Sequence, residues 1–414
     1  MFQKNRFSSK KCTKKSLLFV GLFLLLFTSK IQSQHISPIE KMAAEGYAKR
    51  FSDTVASMNI QKKALALAQK NKNKGDEVIC YAYLALTQRR LLHLKEFMHY
   101  ADTAFYLSQN VNKIRAKAHA YTTMGCLKSY IDDKPQAINY LLEAYTLFSK
   151  AKANDQCAKI ASDISYLFSP ASPEKVEKYA KEAMIHAQKS GDPESELYAR
   201  LAMGGFLTDN LDANGMEEWL KALHFFVETV SLAEKNADKI VSKSNIGIAY
   251  LNLADLYTKG PKPIDEKAFL LNLEKATAIA KKYNIKIIYR SAIGLKGFYL
   301  TQKGDYVKAE LLFIEGINYQ KSLPYTDNYL FAAFYKSLKD VAIKRKDYQA
   351  YYGYDTLFDK YTQLKYKEST QSQLQNADAR YESAKKAERI KQLEFEKELE
   401  QKNKLLGYGI AGVL

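Results

Sequence analysis

The residue types that most often carry out catalysis are present, but they do not form a known catalytic pattern. The chain has six histidines, and no two of them stand four residues apart, the spacing at which two helical histidines bind one metal ion. The HExxH motif, a phosphate loop ending in GK[ST] and the GxSxG nucleophile motif are all absent. Acidic residues are numerous but scattered. The sequence therefore predicts no enzymatic activity, no metal site and no cofactor within these residues.

The elements that carry the remaining side chains are helices. From Ile39 to about Lys365, apolar residues recur at three and four positions, which is the spacing of a helical face. Sustained alternation of apolar and polar residues, the signal for a strand, is absent. Prolines fall in the connections between segments of about 12 to 18 residues, a usual helix length. The chemistry that this chain offers is therefore a surface of helices.

Two parts of the chain share one spacing of small and large residues. A small residue is followed after twelve positions by an alanine, after four more by a large apolar residue, and after three more by a small one. The two sets are Gly125, Ala137, Leu141 and Ala144, and Gly297, Ala309, Phe313 and Gly316. Looser copies occupy 84–104 and 253–276. We expect the small residues to let the two helices of a hairpin approach closely, and the large one to fill the gap toward the next hairpin.

This spacing resembles the tetratricopeptide repeat (TPR). The best match is GFYLTQKGDYVKAELLFIEGI at 297–317, followed by MGCLKSYIDDKPQAINYLLEA at 124–144. The tryptophan of the family's first helix is missing, because Trp219, the only tryptophan, falls in a second helix. The units at 158–190 and 197–235 are irregular. The resemblance implies an all-α fold, a TPR-like α-solenoid of six to eight hairpins over residues 35–365.

In TPR proteins the first helix of each hairpin lines a concave groove, and such grooves bind extended peptides or helices. The resemblance therefore implies a peptide or protein partner and, by position, a set of groove-facing residues in this chain. These are Arg89, Arg90, His119, Thr122, Cys126, Ser129, Ser291, Phe298, Thr301 and Gln302. Arg89 and Arg90 are the candidates for contact with an acidic ligand.

The first residues of the chain predict export. A basic stretch ending in KKCTKKS precedes LLFVGLFLLLF, an apolar run too short to span a bilayer and of the right length for a signal peptide. We predict a signal peptide over residues 1–34, with an uncleaved signal anchor as the alternative. Cys80, Cys126 and Cys157 would then remain in the mature chain. They fit small buried thiols rather than a disulfide framework, with one disulfide as the alternative.

The last part of the chain differs from the repeats. Residues 366–404 favour a long charged helix, but charged residues occupy several core positions of the heptad. A long solvated helix that pairs only in part is favoured over a strict coiled coil, and pairing of two copies through this segment stays open. The apolar run LLGYGIAGVL at 405–414 predicts the start of a transmembrane helix that continues beyond the printed sequence. The alternative is a short apolar tail that docks on the chain's own repeats.

The formal net charge is +18, and six of the basic residues precede the first apolar run. The remaining positive charge is spread along many helices, without a compact block of Lys and Arg interleaved with aromatic residues. The sequence therefore predicts no nucleic-acid binding within these residues.

The order of these parts resembles a family of bacterial membrane-anchored regulators. In that family a periplasmic TPR sensor is joined by a charged helix to one transmembrane segment and a cytoplasmic output, either a helix-turn-helix domain or a histidine kinase. The resemblance implies a periplasmic array anchored in the inner membrane, acting in signal transduction or transcriptional regulation. The competing interpretation is an exported scaffold that mediates protein–protein interactions at the cell envelope without signalling. A third is a cytosolic array behind an uncleaved anchor.

Overall fold

The computed structural model describes residues 36–91, 93–169, 171–211, 215–260, 264–323 and 326–367. In these ranges the chain forms sixteen α-helices and no β-strand. The predicted signal peptide (1–34) and the segment from 368 to 414, with most of the predicted charged helix and the predicted start of a transmembrane helix, lie outside the described residues. No helix in the described part of the chain is both long enough and apolar enough to cross a bilayer.

The helices follow one another with short connections. They are α1 (Pro38–Ala48), α2 (Thr54–Lys70), α3 (Lys74–Leu91), α4 (Leu94–Ser108), α5 (Ile114–Tyr130), α6 (Lys134–Lys150), α7 (Asn154–Phe168), α8 (Pro173–Ser190), α9 (Pro193–Asp209), α10 (Met216–Lys235), α11 (Lys243–Lys259), α12 (Glu266–Lys282), α13 (Lys286–Lys303), α14 (Tyr306–Lys321), α15 (Asn328–Lys344) and α16 (348–367). A 3₁₀ turn, Lys49–Phe51, follows α1. Consecutive helices pair into eight hairpins, the upper limit of the predicted number.

The first and second helices of a hairpin differ in how much of their surface is buried. The first helix α3 buries residues on nearly every face. The second helix α4 buries only Phe97, Ala101, Ala104 and Ser108, whose spacing of four, three and four places them on one face. A first helix has a neighbouring hairpin on each side, whereas a second helix turns its other face to water.

Local signals set the ends of these helices. At the start of six helices in the described ranges, an aspartate accepts a hydrogen bond from the backbone N–H three residues ahead, which satisfies one of the free donors there. These aspartates are Asp53, Asp192, Asp265, Asp305, Asp327 and Asp347. Gly304 precedes Asp305 in the predicted Gly-Asp-Tyr turn and has a φ of 85°, a left-handed conformation that glycine adopts without strain.

The predicted small residues do create the close contacts within hairpins. A Cβ added at Gly125 would lie 2.6 Å from Leu141 Cγ, and one added at Gly297 would lie 2.6 Å from Phe313 Cε1. The large residue was expected to fill the gap toward the next hairpin, and this is corrected in part. Leu141 and Phe313 instead fill the space over the glycine of their own hairpin. Gly316 instead receives Phe334 of the next first helix, at 2.6 Å from the added Cβ.

The irregular fifth hairpin uses the same device with a different spacing. A Cβ at Gly204 of α9 would lie 2.4 Å from Phe226 Cζ of α10. The two residues are 22 positions apart, whereas Gly125 and Leu141 are 16 apart, because the connection between α9 and α10 is longer. Gly204 therefore serves the packing of α9 against α10.

The described chain divides into two compact units. Unit 1 comprises residues 36–127 and 135–292, and unit 2 comprises residues 128–134 and 293–367. The core of unit 1 is rich in alanine, which keeps its helices close, and its largest fully buried side chains include Phe97, Phe148 and Phe226. The core of unit 2 is built on aromatic residues, with Phe313, Phe331 and Phe334 buried.

The three cysteines of the repeats are free and buried, which confirms their prediction as small core thiols. Burial raises the pKa of Cys80 and Cys157 to about 12 and that of Cys126 to about 11. Each thiol is therefore protonated near neutral pH.

Candidate functional site

A row of rings connects the first helices of hairpins one to three in unit 1. Tyr47, Tyr83 and His119 recur at an interval of 36 residues. The ring centroids are 5.3 Å apart between Tyr47 and Tyr83 and 5.1 Å apart between Tyr83 and His119. Phe148 of α6 packs edge-on against His119 at 5.0 Å. These distances fall in the favourable range for aromatic pairs, so the row fixes the spacing of the first hairpins.

The structure places His119 in the core and not on a groove surface, which corrects its predicted position. Its side chain is buried between Tyr83 and Phe148, and its Nε2 lies 3.7 Å from Glu40 Oε1. Burial lowers the pKa of His119 more than the charge of Glu40 raises it, so the imidazole is neutral at pH 7. The first helix of hairpin three is enclosed at this position, and the family pattern did not reveal this.

Glu40 is the centre of a buried ion cluster beside this row. Arg115 donates to Glu40 Oε1 from Nε at 2.7 Å, and Lys113 donates to Oε2 at 3.1 Å. Lys113 also contacts Asp76 Oδ1 at 2.6 Å. Burial acts to raise the pKa of Glu40, but the neighbouring imidazole of His119 and the hydrogen bonds and positive charge of Arg115 outweigh it and hold the pKa far below its usual value. This cluster ties hairpins one, two and three together.

Arg50 joins the first hairpin to the sixth. Its guanidinium donates to Tyr47 O at 2.9 Å and to Ser242 Oγ at 2.9 Å, and it lies 3.7 Å from the centroid of the Tyr47 ring. Ser242, which precedes α11, donates through its hydroxyl to Glu194 at 2.6 Å and through its N–H at 3.2 Å. We call Arg50, Glu194 and Ser242 the latch. All three are buried.

Arg90 lies near the latch and has structural partners. Its guanidinium approaches the carbonyl oxygens of Tyr283 and Asn284 at 3.5 and 3.4 Å, and it lies 4.7 Å from the centroid of the Phe51 ring. Arg90 thus contacts the first hairpin and the end of the sixth. Of Arg89 and Arg90, Arg90 is the one whose guanidinium already has partners within the chain.

Arg89 on α3 has neighbours on several other first helices of unit 1. It is exposed to solvent, and no hydrogen bond or ion pair of its guanidinium is found in the part of the chain that the structure describes. Its electrostatic neighbours come from four other first helices and are Cys126, Asp163, Tyr47 and Tyr198. We call this face, formed by α1, α3, α5, α7 and α9, the inner surface. Arg89 is the predicted groove residue whose charge is available there.

Asp163 supplies the opposite charge on the inner surface. It lies on α7, is half-buried, and like Arg89 forms no hydrogen bond or ion pair with any residue that the structure describes. Desolvation raises its pKa to about 6, although the charge of Arg89 acts to lower it. An unpaired carboxylate in such surroundings is costly, which makes it a candidate for contact with a ligand.

A cavity of about 280 Å³ lies between α7, α8, α9 and α11, and Asp163 does not line it. One turn beyond Asp163, Tyr166 lines it with a side chain that is 46% exposed. Gly205 lies on the opposite wall, where an added Cβ would be 3.7 Å from Tyr166 Cε1. Asp209 and Asp255 lie at the rim. We call this space the unit 1 cavity, and it extends the inner surface.

Unit 2 has a larger cavity of about 430 Å³ between α13 and α15. Three predicted groove residues, Phe298, Thr301 and Gln302, line it, and Ile343 lies across from them. Phe298 is 47% exposed and Ile343 49% exposed. The Thr301 hydroxyl donates to Gly297 O within its own helix, so the wall is mainly apolar. The structure thus brings together, in one cavity, three residues that the TPR resemblance placed in a groove.

The other predicted groove residues are placed differently. Ser291 is exposed, Thr122 and Ser129 are half-buried, and Cys126 is buried. The Thr122 hydroxyl donates to Ala118 O at 2.9 Å, one turn back. Within the described ranges, no group of three or more metal-ligating side chains is close enough to hold a metal ion.

Sequence reasoning missed Asp163 and Tyr166. Both lie in the irregular fourth hairpin, where the small-residue spacing of the family is lost. The 36-residue interval of the ring positions aligns Asp155 of α7 with His119 of α5. It does not align Asp163 with Arg89, because Arg89 follows Tyr83 by six residues and Asp163 follows Asp155 by eight.

Comparison with solved structures gives similar folds at low sequence identity. A Rap protein complexed with competence and sporulation factor aligns with a TM-score of 0.54 and 15% identity over 80% of this chain and 99% of that one. NprR in complex with its cognate peptide NprX aligns with a TM-score of 0.52 and 14% identity, over 76% and 87%. These are TPR proteins. The chain has the tetratricopeptide-repeat fold.

A third similar structure is aspartyl phosphate phosphatase F from Bacillus subtilis, with a TM-score of 0.50 and 15% identity over 86% of this TPR chain and 85% of that protein. The sequence matches no protein-family model, and the search of curated proteins gives no relative. At these identities the likeness concerns the fold.

Proposed function

We propose that this TPR chain is the peptide- or protein-binding sensor region of a membrane-anchored signalling or transcriptional regulator. The observation that carries the proposal is the inner surface of unit 1, where Arg89 and Asp163 present opposite charges that no described residue neutralises. The Rap and NprR structures, each with a bound factor or peptide, support a peptide as the ligand. Hydrogen bonds to an extended peptide and pockets for its side chains would supply affinity and specificity.

The finer parts of the proposal rest on the sequence resemblance. The array would be exported after cleavage of residues 1–34, and a transmembrane helix beginning at 405 would connect it to a cytoplasmic output domain. A bound peptide would act only through its different affinity for two states of the array. Reading the coding frame after Leu414 tests this part: a completed apolar span and an output domain support it, and an immediate stop codon favours the exported scaffold.

The binding proposal is tested by filling the unit 1 cavity. The purified chain is used to select binders from a displayed random heptapeptide library, and the selected peptides are measured against Gly205→Trp. The indole would occupy the cavity, because only Tyr166 lies near the added Cβ, so we expect at least a tenfold loss of affinity. Gly353→Trp is the matched control, since nothing lies within 4 Å of its added Cβ. Failure to select any peptide, or equal binding by both variants, would overturn the proposal.

A further inference from the structure

The inner surface of unit 1 carries a positive and a negative side chain that do not neutralise each other. Arg89 on α3 and Asp163 on α7 act on each other electrostatically, yet no ion pair joins them. Neither side chain has a hydrogen-bond partner among the residues that the structure describes. Several charged side chains that line the first helices of unit 1 are paired, such as Arg115 with Glu40 and Arg200 with Glu196. The pair therefore differs from the structural ion pairs of the same unit.

The groups around this pair leave its charges uncompensated. Cys126 of α5 is a neutral thiol at pH 7, because burial raises its pKa to about 11. Tyr166 of α7 and Tyr198 of α9 have pKa values raised by desolvation, so both hydroxyls are neutral. Other charged groups lie near these tyrosines. The Lys159 Nζ lies 5.9 Å from the centroid of the Tyr198 ring, Glu194 acts on Tyr198, and Arg50 lies over Tyr47. Glu194 and Arg50 are already paired through Ser242 in the latch, so Arg89 and Asp163 are the unpaired opposite charges that a ligand meets.

The chemistry of the two groups defines what each would accept. A guanidinium presents a planar set of donors that matches a carboxylate. A half-buried carboxylate accepts hydrogen bonds and is stabilised by a positive charge that replaces lost water. Resting on the proposed function, we propose that Arg89 and Asp163 together bind a peptide segment with one acidic and one basic group, the acidic group on Arg89 and the basic group on Asp163.

The unit 1 cavity lies one turn along α7 from Asp163, which does not line it, and would receive the peptide residue next to the basic group. Tyr166 follows Asp163 by three residues on α7, so the two lie on the same helical face, and Asp209 and Asp255 line the far rim. Asp209 accepts from Ser169 at 2.9 Å and Asp255 pairs with Lys259 at 2.8 Å, so these two carboxylates already have partners. They add a negative potential at the rim, while Asp163 supplies the unpaired acceptor.

The proposal has a definite pH dependence. Asp163 has a pKa of about 6, so it is mostly ionised at pH 7.5 and mostly neutral at pH 5. A basic group held by Asp163 would lose its partner on acidification, and affinity would fall through this window. If the site bound an anion through Arg89 alone, neutralising Asp163 would remove a competing charge and affinity would rise. The two possibilities have opposite signs.

The experiment uses heptapeptides selected on the full chain and measures their affinity for Arg89→Gln and Asp163→Asn. We expect each variant to weaken binding at least tenfold. Replacing Glu or Asp by its amide in the peptide should add nothing further in Arg89→Gln, and replacing Lys or Arg by Gln should add nothing further in Asp163→Asn. Lys95→Gln and Glu96→Gln, exposed on the second helix α4, make the same charge changes away from the inner surface and should leave affinity unchanged.

The possible outcomes separate this inference from the proposed function. Selected peptides that lack an acidic and a basic group, or that bind both variants as well as the parent chain, would overturn the paired recognition and leave peptide binding intact. Sensitivity to Arg89→Gln alone, with tighter binding at pH 5, would likewise overturn it in favour of an anion site. If no peptide is selected by the parent chain, the proposed function fails, and this inference fails with it.

Discussion

At the scale of single residues, the glycines that receive a large side chain determine how closely two helices pack. Gly297 is the clearest case, because an added Cβ would lie 2.6 to 3.0 Å from three atoms of the Phe313 ring. A ring enclosed between two helices has little freedom to move away. The cost of even one methyl group there should therefore exceed the benefit that alanine gives to a helix.

We predict that Gly297→Ala destabilises the chain by about 1 to 3 kcal/mol, the usual range for overpacking a core. Gly353→Ala is the matched control in the same unit, since it lies in α16 and nothing surrounds its added Cβ. Alanine should stabilise that helix by up to about 1 kcal/mol. Urea unfolding of both variants measures the difference, and equal stabilities would refute the role assigned to Gly297.

A second prediction concerns the pH dependence of stability at His119. Its folded pKa lies below the ordinary value of 6.5, so below that pH the unfolded chain binds a proton that the folded chain excludes. Stability should fall on acidification below pH 6.5, by at most about 1.4 kcal/mol per pH unit for this group. His119→Gln should flatten the slope between pH 6.5 and 5. The exposed His99→Gln should not, and an unchanged slope in His119→Gln would contradict the buried neutral state.

The ion cluster around Glu40 adds a second pH dependence of stability, at lower pH than that of His119. Because the pKa of Glu40 is depressed, its contribution is present above its unfolded value of 4.5 and is lost as the pH falls further. Glu40→Gln should therefore cost about 3 kcal/mol or more at pH 7, the usual result of leaving a buried partner unpaired. The cost should shrink below pH 4.5, because the unfolded parent chain then binds a proton on Glu40 that the folded chain does not. Unfolding curves at pH 7 and pH 4 check both statements.

The sequence predicted these packing positions better than it predicted the charged ones. Gly125, Leu141, Gly297 and Phe313 could be found because a hairpin is local, and one spacing brings its residues together. The pairing of Gly204 with Phe226 was missed because a longer connection changes that spacing. His119 was misplaced for a different reason: its enclosure depends on Glu40 and Phe148, which lie in other hairpins.

At the scale of elements, the latch holds the first hairpin of unit 1 against the sixth. Arg50 lies in the 3₁₀ turn after α1, and its partner Ser242 precedes α11. Nearly two hundred residues separate them, so no spacing in the sequence could predict the contact. Asp163 was missed for a similar reason. It is far from Arg89 in the sequence, and its approach to Arg89 depends on how successive hairpins of unit 1 turn relative to one another.

We predict that Arg50→Ala destabilises the packing of the first hairpin against the sixth by roughly 2 kcal/mol, because it removes charge-assisted hydrogen bonds and a cation–π contact. Hydrogen exchange should speed up at the backbone N–H groups of Val241 and Ser242, which donate to Glu194. Lys49→Ala, the exposed neighbour in the same turn, is the control and should change stability by less than about 0.5 kcal/mol. Unaltered exchange at both amides in Arg50→Ala would mean that Arg50 does not hold the sixth hairpin.

At the scale of the whole molecule, the fold could largely be predicted from the sequence, whereas the cellular location of the protein stays a prediction. The helical period and the hairpin spacing indicated an all-α TPR fold, and eight hairpins in the described ranges agree with it. The prediction of export rests on residues 1–34 alone, and it comes from their basic and apolar composition. We predict that the mature chain begins near His35. Mass spectrometry of the purified protein's N-terminal peptide measures this directly, and a chain that retains residues 1–34 would favour a signal anchor.

The three buried cysteines bear on life outside the cytoplasm. An exported protein with an odd number of thiols risks covalent cross-linking to a second copy, because at least one thiol has no partner within the chain. Thiol exchange needs an accessible thiolate, and Cys80, Cys126 and Cys157 are enclosed and protonated at neutral pH. If the array is exported as predicted, the fold therefore protects these thiols from disulfide exchange. An exported chain would then be open to thiol oxidation only for the time that it takes to fold.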